Sequence, residues 1–273
     1  MVWKHLNHPN IVPFKGVTFD PLQLVSEWMP GGELREYVGN NWDTNLIILV
    51  RRLLPNFDAV SQPPPSQSLG IAEGLNYLHS SGVIHGDLKG VWIITDSVYP
   101  DSRRSQSNIV IDDFGNPRIT DFGLATIVRD PNSYVSTSED QGHTLRWTAP
   151  EIFGGEAATR ESDVFSFGMV IIEVSEDRST TSQRPYLLVK IFTGEIPFKR
   201  VPTSEVVVRV TSGDRPKRPT HPKFTDPLWE LTQSCWRATA QDRPKMEDVL
   251  EELLASGFSF QRRASHSHLL LQK

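Results

Sequence analysis

Apolar residues recur along the chain in spacings that predict one clear helix and several short strands. In IAEGLNYLHSSGV, Ile71, Leu75 and Leu78 fall on one face at helical spacing. Residues 108–112 and 117–120 are short runs that contain β-branched residues, which favour strands. The stretch LQLVSEWMPGGELREYV reads as an apolar strand, a polar connection and the start of a helix.

Two polar motifs flank the two short strands and carry the candidate chemistry. VIHGDLKG contains His85, Asp87 and Lys89, while Asn108 begins the first strand and Asp121-Phe122-Gly123 follows the second. A single aspartate before leucine and lysine is more often a turn residue, and an isolated DFG is a common accident. Both motifs in this order resemble the catalytic loop and metal-binding turn of eukaryotic protein kinases.

The resemblance assigns roles to four of these residues. Phosphoryl transfer between oxygens develops charge that metal ions and fixed dipoles stabilise, so catalysis depends mainly on positioning and electrostatics. Asp87 would orient or accept the proton of the attacking hydroxyl, and Lys89 would reach the transferred phosphate. Asn108 and Asp121 would hold Mg²⁺ against the phosphates of ATP. The cofactors implied are therefore ATP and Mg²⁺.

The residues before the catalytic loop resemble the end of the family's helix C and the fourth and fifth strands of its N-terminal lobe. Glu27 and Met29 would offer backbone groups to the adenine ring, and Val110 would form the floor of the ATP site. An ordinary strand and turn is the alternative, because Gly31-Gly32 is a common breaker. Its position ahead of the catalytic loop favours the hinge.

Further matches follow the DFG motif. Thr148 and Glu151, in LRWTAPE, correspond to the family's substrate-docking loop and APE motif, and Asp163 to the aspartate that anchors the catalytic loop. Arg243 corresponds to the arginine that pairs with the APE glutamate. Cys235-Trp236 is typical of tyrosine kinases and tyrosine-kinase-like serine/threonine kinases, and Lys89 favours serine/threonine specificity.

The resemblance implies a kinase-like α+β fold with a mostly helical C-lobe and a remnant N-lobe. We assign residues 1–29 to the N-lobe remnant and hinge, 30–258 to the C-lobe and 259–273 to a disordered tail. Three segments interrupt the family pattern: 48–67, 92–107 and 175–191. We interpret them as unspliced introns or similar additions to the gene model, with true family-specific loops as the alternative.

The second of these segments affects the metal site directly. If the residues of the catalytic loop are counted without removing the insertion, Trp92 falls at the position of the metal-binding asparagine. An indole offers no oxygen to Mg²⁺. Removal of residues 92–107 instead joins HGDLKGV to Asn108 and restores the usual order. Gly86 also replaces the arginine of the usual His-Arg-Asp, so control by activation-segment phosphorylation is in doubt.

Two functions remain open at this point. The first is ATP- and Mg²⁺-dependent phosphorylation of serine or threonine hydroxyls in proteins, with tyrosine as a further acceptor. The second is a catalytically inactive pseudokinase or fragment that binds partner proteins. The second arises because no glycine-rich loop and no Val-Ala-Ile-Lys strand occur in the sequence, and we therefore interpret the domain as truncated at its N-terminus.

Composition narrows the range of partners and compartments. The net charge of −5 and the pI near 5.9 give no electrostatic reason to expect nucleic acid. No apolar run approaches the roughly 20 residues of a membrane span. Cys235 is the only cysteine, which suits a reducing, cytoplasmic compartment. Protein substrates are the expected partners.

Overall fold

The computed structural model describes residues 2–33, 67–90, 107–121, 126–127, 145–175, 197–198, 201–219 and 224–255. Of the three suspected insertions, only the edge residues Gln67, Ser107 and Ser175 fall within these ranges. The rest of the insertions, Trp92 and the tail 259–273 lie outside the described residues. The domain boundaries and insertions therefore stay predictions.

The N-terminal part is an antiparallel hairpin of β1 (Phe14–Phe19) and β2 (Leu22–Ser26). A short 3₁₀ turn, Trp3–His5, precedes it. The Trp3 indole N–H donates a buried hydrogen bond of 2.6 Å to the Val12 carbonyl oxygen. This bond ties the turn to the residues that lead into the hairpin.

Five further strands are short: β3 (Gly32–Glu33), β4 (Val83–Ile84), β5 (Ile109–Ile111), β6 (Pro117–Ile119) and β7 (Thr126–Ile127). Strands β3, β5 and β6 form an antiparallel sheet in that order, and β4 pairs with β7. The turn between β5 and β6 is closed by Asp112, whose Oδ1 accepts the backbone N–H groups of Phe114 and Asn116 at 2.9 Å each. The two strand-like runs of the sequence are therefore adjacent strands of one sheet.

Six α-helices are described: α1 (Gln67–Ser80), α2 (Pro150–Phe153), α3 (Arg160–Ser175), α4 (Thr203–Thr211), α5 (Asp226–Cys235) and α6 (Met246–Ala255). Helix α1 buries Ile71, Leu75 and Leu78, as its periodicity predicts. It packs against α3, α6 and strand β6. The helix therefore holds the sheet and the helical part together.

Helix α3 lies at the centre of the helical part. At its start, Thr159 and Ser162 exchange hydrogen bonds, each backbone N–H donating to the other's hydroxyl oxygen at 2.9 and 3.1 Å. Every residue from 162 to 173 is buried, which is typical of a helix apolar on all sides. Helices α1 and α5 pack against it.

A small β-rich part followed by a mostly helical part is the α+β architecture expected from the kinase resemblance. One hydrophobic cluster runs through both parts, from Trp3 and Ile11 to Val249 and Leu253. Among the described helices, none has the length and apolar character needed to cross a membrane.

Candidate active site

Asp163, in the first turn of α3, holds the backbone of the candidate catalytic loop. Its Oδ2 accepts the His85 N–H at 2.8 Å, and its Oδ1 accepts the Gly86 N–H at 2.9 Å. Oδ2 also lies 2.9 Å from His79 Nε2, at the end of α1. The side chain of Asp163 is only 1% exposed, so these donors replace the water that its carboxylate lacks.

The His85 imidazole joins the loop to the end of β6. Its Nδ1 accepts the Asp87 N–H at 3.2 Å, and its Nε2 lies 2.9 Å from the Thr120 carbonyl oxygen. A backbone N–H can only donate and a carbonyl oxygen can only accept. The ring is therefore the neutral form protonated on Nε2, and it spans from Asp87 to the residue before Asp121.

Asp87 is held by two neighbours through one oxygen. Lys89 Nζ and Asn108 Nδ2 both donate to Asp87 Oδ2 at 3.0 Å. Within the described part of the chain no donor reaches Oδ1. Oδ1 is therefore the oxygen left to take a hydroxyl proton, on a side chain that is 13% exposed, as is that of Lys89.

Asn108 lies beside Asp87 although 20 residues separate them along the chain. Its Nδ2 also donates to the Asp87 carbonyl oxygen at 2.5 Å, and its N–H donates to the Lys89 carbonyl oxygen at 3.2 Å. Asn108 Oδ1 is buried and has no hydrogen-bond partner among the described residues. An oxygen left in this state suits a cation that prefers oxygen ligands.

Asp121 lies two residues after β6, the strand that pairs with β5. The Thr120 N–H donates to the Asn108 carbonyl oxygen at 2.9 Å, which places Asp121 next to the loop. Asp121 is exposed and has a positive φ of 59°. Phe122 and Gly123, the rest of the DFG motif, lie outside the described residues.

The three residues expected at the adenine site lie on connected segments. The Glu27 N–H donates to the Pro13 carbonyl oxygen at 2.9 Å, and the buried Met29 accepts the Gly32 N–H at 3.0 Å. Strand β3, directly after this turn, pairs Glu33 with Val110 of β5. The segment after the hinge is thus bonded to β5, the strand that follows Asn108.

The Glu27 side chain itself makes a surface ion pair. Lys15 Nζ lies 2.6 Å from Glu27 Oε2, and both side chains are about half exposed. The hydrogen bond from Lys15 lowers the pKa of the Glu27 carboxyl below its usual value. This side chain is therefore occupied by Lys15, and the role expected for Glu27 concerns its backbone.

The segment that contains Thr148 is anchored by Arg146, two residues before it. Arg146 is buried and donates to the carbonyl oxygens of Pro197, Phe198 and Val201 at 2.7 to 2.9 Å. Burial lowers the pKa of its guanidinium. Thr148 itself is half-buried and precedes α2.

The APE glutamate and its expected partner are in contact. Arg243 donates to both carboxylate oxygens of Glu151, at 2.6 and 2.8 Å. The Arg243 side chain is 0% exposed and that of Glu151 is 10% exposed. This bidentate pair joins the start of α2 to the segment before α6.

Sequence reasoning missed three contributors around the loop. His79 bonds Asp163. Glu173 of α3 accepts the Trp147 indole N–H at 3.2 Å, and a Cβ atom added to Gly90 would overlap the Glu173 carboxylate. Ser107, which the sequence assigns to the insertion 92–107, is bonded to Gly90. A buried glutamate inside an apolar helix was a usable signal for Glu173, whereas nothing in the sequence distinguished Ser107 from the insertion.

Within the described part of the chain, no group of three or more histidine, cysteine or acidic residues could hold a metal ion by itself. The donor set that fits Mg²⁺ is the orphaned Asn108 Oδ1 with the Asp121 carboxylate. Mg²⁺ is commonly held by one or two protein oxygens together with phosphate oxygens and water. The residues present therefore fit a Mg²⁺–nucleotide complex better than a free metal ion.

Comparison with known proteins agrees with this geometry. A family model described as protein tyrosine and serine/threonine kinase matches residues 1–253. The chain belongs to the protein kinase family. The prediction of a protein kinase domain with a kinase-like α+β fold is thereby confirmed.

Curated relatives include two proteins named as serine/threonine kinases and one named as a receptor. The probable serine/threonine-protein kinase drkC of Dictyostelium discoideum is 29% identical over 259 residues, which cover 93% of this chain and 28% of that protein. The serine/threonine-protein kinase STY46 of Arabidopsis thaliana is 27% identical over 92% of this chain and 35% of its own length. Ephrin type-A receptor 5 of Rattus norvegicus is 27% identical over 90% of this chain and 20% of its length. The chain thus spans about a third or less of the length of these relatives.

Proposed function

We propose that this kinase-family protein transfers the γ-phosphate of ATP to serine or threonine hydroxyls of other proteins. The observation that carries the proposal is the constellation of Asp87, Lys89 and Asn108. A carboxylate with one open oxygen, an ammonium group and a buried, unpaired amide oxygen converge there. These are the groups that in-line phosphoryl transfer requires from a protein.

Asp87 orients the acceptor hydroxyl and takes its proton. Lys89 and Asn108 both donate to Oδ2, which fixes the carboxylate and leaves Oδ1 as the oxygen available to the substrate. Lys89 supplies positive charge close to the transferred phosphate. Mg²⁺, when bound, neutralises the developing phosphate charge, and Asn108 with Asp121 would hold it.

The adenine ring would bind along the hinge, through backbone groups of Glu27 and Met29, with Val110 below it. The pairing of β3 with β5 supports this proposal, since β3 follows the hinge residues and β5 follows Asn108. Thr148, at the end of the activation segment, would contact the protein substrate. Serine/threonine acceptors are favoured by Lys89 and by the similarity to drkC and STY46, both named as serine/threonine-protein kinases.

Residues 1–273 by themselves contain no glycine-rich loop and no Val-Ala-Ile-Lys strand. Removal of one preorganised donor at a charged transition state typically lowers the rate about 10²- to 10³-fold. We therefore expect these residues alone to turn over at least about 10²-fold more slowly than a complete kinase.

The test measures phosphate transfer from radiolabelled ATP to a generic basic protein, with and without Mg²⁺. Two polypeptides are compared: residues 1–273, and the same residues preceded by a glycine-rich loop and lysine strand from a serine/threonine kinase. Each is accompanied by its Asp87→Asn variant. We expect turnover from the extended polypeptide that requires Mg²⁺ and is lost with Asp87→Asn. Turnover insensitive to Asp87 would overturn the assigned site, and nucleotide binding without turnover in both polypeptides would favour a protein-binding pseudokinase.

A further inference from the structure

Ser107 lies at the point where the interrupted catalytic loop closes. It is 17 residues from Gly90 in sequence, yet its hydroxyl contacts the Gly90 carbonyl oxygen. The same hydroxyl lies 2.7 Å from the Ile109 carbonyl oxygen and accepts the Ile109 N–H at 3.1 Å. One side chain thus joins the last described residue before the interruption to the strand after it.

The neighbouring contacts show that the residues before and after the interruption lie side by side. The Asn108 N–H donates to the Lys89 carbonyl oxygen at 3.2 Å, next to the bond between Ser107 and Gly90. Ser107 is 7% exposed and Asn108 is fully buried. Because water has little access, a hydrogen bond removed from this junction leaves buried backbone groups unpaired.

The junction controls where the Asn108 side chain lies. Asn108 reaches Asp87 through its Nδ2, which leaves its Oδ1 as the buried, unpaired oxygen. Ser107 precedes Asn108 in the chain, and the Ser107 hydroxyl is bonded to Ile109, the residue after Asn108. The backbone is therefore fixed on both sides of Asn108. A shift of the backbone at 107 would therefore displace the amide from Asp87.

We propose that Ser107 is a positioning residue: its hydroxyl closes the catalytic loop onto Gly90 and so sets the position of Asn108 Oδ1 toward a divalent metal ion. The proposal rests on the function proposed above, since it concerns the metal–nucleotide site. Ser107 itself contacts neither metal nor nucleotide. Its effect is that of a residue behind a metal ligand, where substitution typically lowers metal affinity about 10- to 100-fold.

The experiment uses residues 1–273 and follows free Mn²⁺ by electron paramagnetic resonance in the presence of a non-hydrolysable ATP analogue. We expect Ser107→Ala to weaken Mn²⁺ binding about tenfold or more. Ser107→Thr, which keeps the hydroxyl, is expected to bind within about threefold of the unmodified chain. Ser166→Ala is the matched control, because the Ser166 hydroxyl is also buried and donates to the Trp147 carbonyl oxygen at 2.8 Å.

Hydrogen exchange of the same variants without ligand separates the positioning role from a general loss of stability. The amides of Asn108 and Ile109 should exchange faster in Ser107→Ala, while amides in α3 and α5 keep their protection. Equal Mn²⁺ affinity in Ser107→Ala and the unmodified chain would overturn the proposal, as would unchanged exchange at Asn108. Absence of Mn²⁺ binding both in the unmodified chain and in the polypeptide extended by a glycine-rich loop and lysine strand would overturn the proposed function, and the exchange result would still decide whether Ser107 closes the loop.

Discussion

Arg243 and Glu151 are 92 positions apart in sequence and form a bidentate ion pair of 2.6 and 2.8 Å. Arg243 also donates to the carbonyl oxygens of Arg237 at 2.9 Å and Glu161 at 2.9 Å, and its guanidinium lies 5.0 Å from the centre of the Phe165 ring. The arginine therefore joins the start of α2, the first turns of α3 and the segment before α6.

Removal of one member of this pair should destabilise the fold strongly. Glu151→Ala leaves the Arg243 charge buried without its carboxylate, and such a loss typically costs about 3–5 kcal/mol. Urea unfolding followed by circular dichroism measures the change. Glu205→Ala is the control, because Glu205 and Arg209 are half-exposed and 3.6 Å apart, and such a pair contributes about 0.5 kcal/mol or less. A loss below about 1 kcal/mol for Glu151→Ala would contradict the importance assigned to the pair.

Asp163→Asn should release the catalytic loop from α3. One oxygen becomes an NH₂ group, which then faces the N–H of either His85 or Gly86, donor against donor. Loss of a hydrogen bond to a buried charged group costs about 1.5–3 kcal/mol. We expect a destabilisation of that size and faster hydrogen exchange at His85 and Gly86.

Asp226→Asn provides the comparison for the preceding variant. Asp226 pairs with Arg218 at 2.6 Å, but its side chain is 79% exposed, so the substitution should change stability by less than about 0.5 kcal/mol. If the amides of the catalytic loop exchanged at the same rate in Asp163→Asn as in Asp226→Asn, the anchoring role assigned to Asp163 would be contradicted.

Two deletions of equal length test where the catalytic loop closes. Removal of residues 91–106 joins Gly90 to Ser107, whereas removal of residues 92–107 places Val91 before Asn108. Only the first keeps the hydroxyl that bonds Gly90. We expect the first deletion to keep Mn²⁺ affinity in the presence of an ATP analogue, and the second to lose about tenfold, as Ser107→Ala does. Equal affinity of the two would show that residue 107 is interchangeable with valine.

Cys235 should make stability fall at alkaline pH. Burial raises the pKa of its thiol from 9.0 to about 12, so the folded state keeps a proton that the unfolded chain releases. The stabilisation is complete below about pH 9 and is lost as the pH rises toward 12. Urea unfolding at pH 7 and pH 10 should show a loss about 1 kcal/mol larger in the unmodified chain than in Cys235→Ala. Equal pH dependence of stability in the unmodified chain and in Cys235→Ala would contradict the burial of the Cys235 thiol.

The resemblance of the motifs to those of protein kinases predicted the parts of the site that depend on residue type. It implied the pairing of Glu151 with Arg243 and the placement of Asp163 beneath the loop, and both contacts require charged side chains. Helix α1 was equally visible, because three apolar residues at helical spacing must share one face.

Other contacts left no comparable pattern. Removal of residues 91–106 or 92–107 leaves a loop of the same length, so the sequence offers no means to choose between Val91 and Ser107. Arg146 bonds backbone oxygens of the segment before α4, and any sequence supplies such oxygens. His79 lies at the end of α1, and only the approach of α1 to α3 reveals its contact with Asp163.

Asp121 illustrates a conflict between folding and chemistry. Its φ of 59° is a left-handed conformation that costs most residues about 1–2 kcal/mol and costs glycine almost nothing. Glycine at this position would satisfy the backbone at least as well, but it would remove the carboxylate that we propose as a ligand of the metal ion. Backbone stability alone would thus favour glycine at position 121, whereas the proposed metal site requires an acidic side chain there despite the conformational strain.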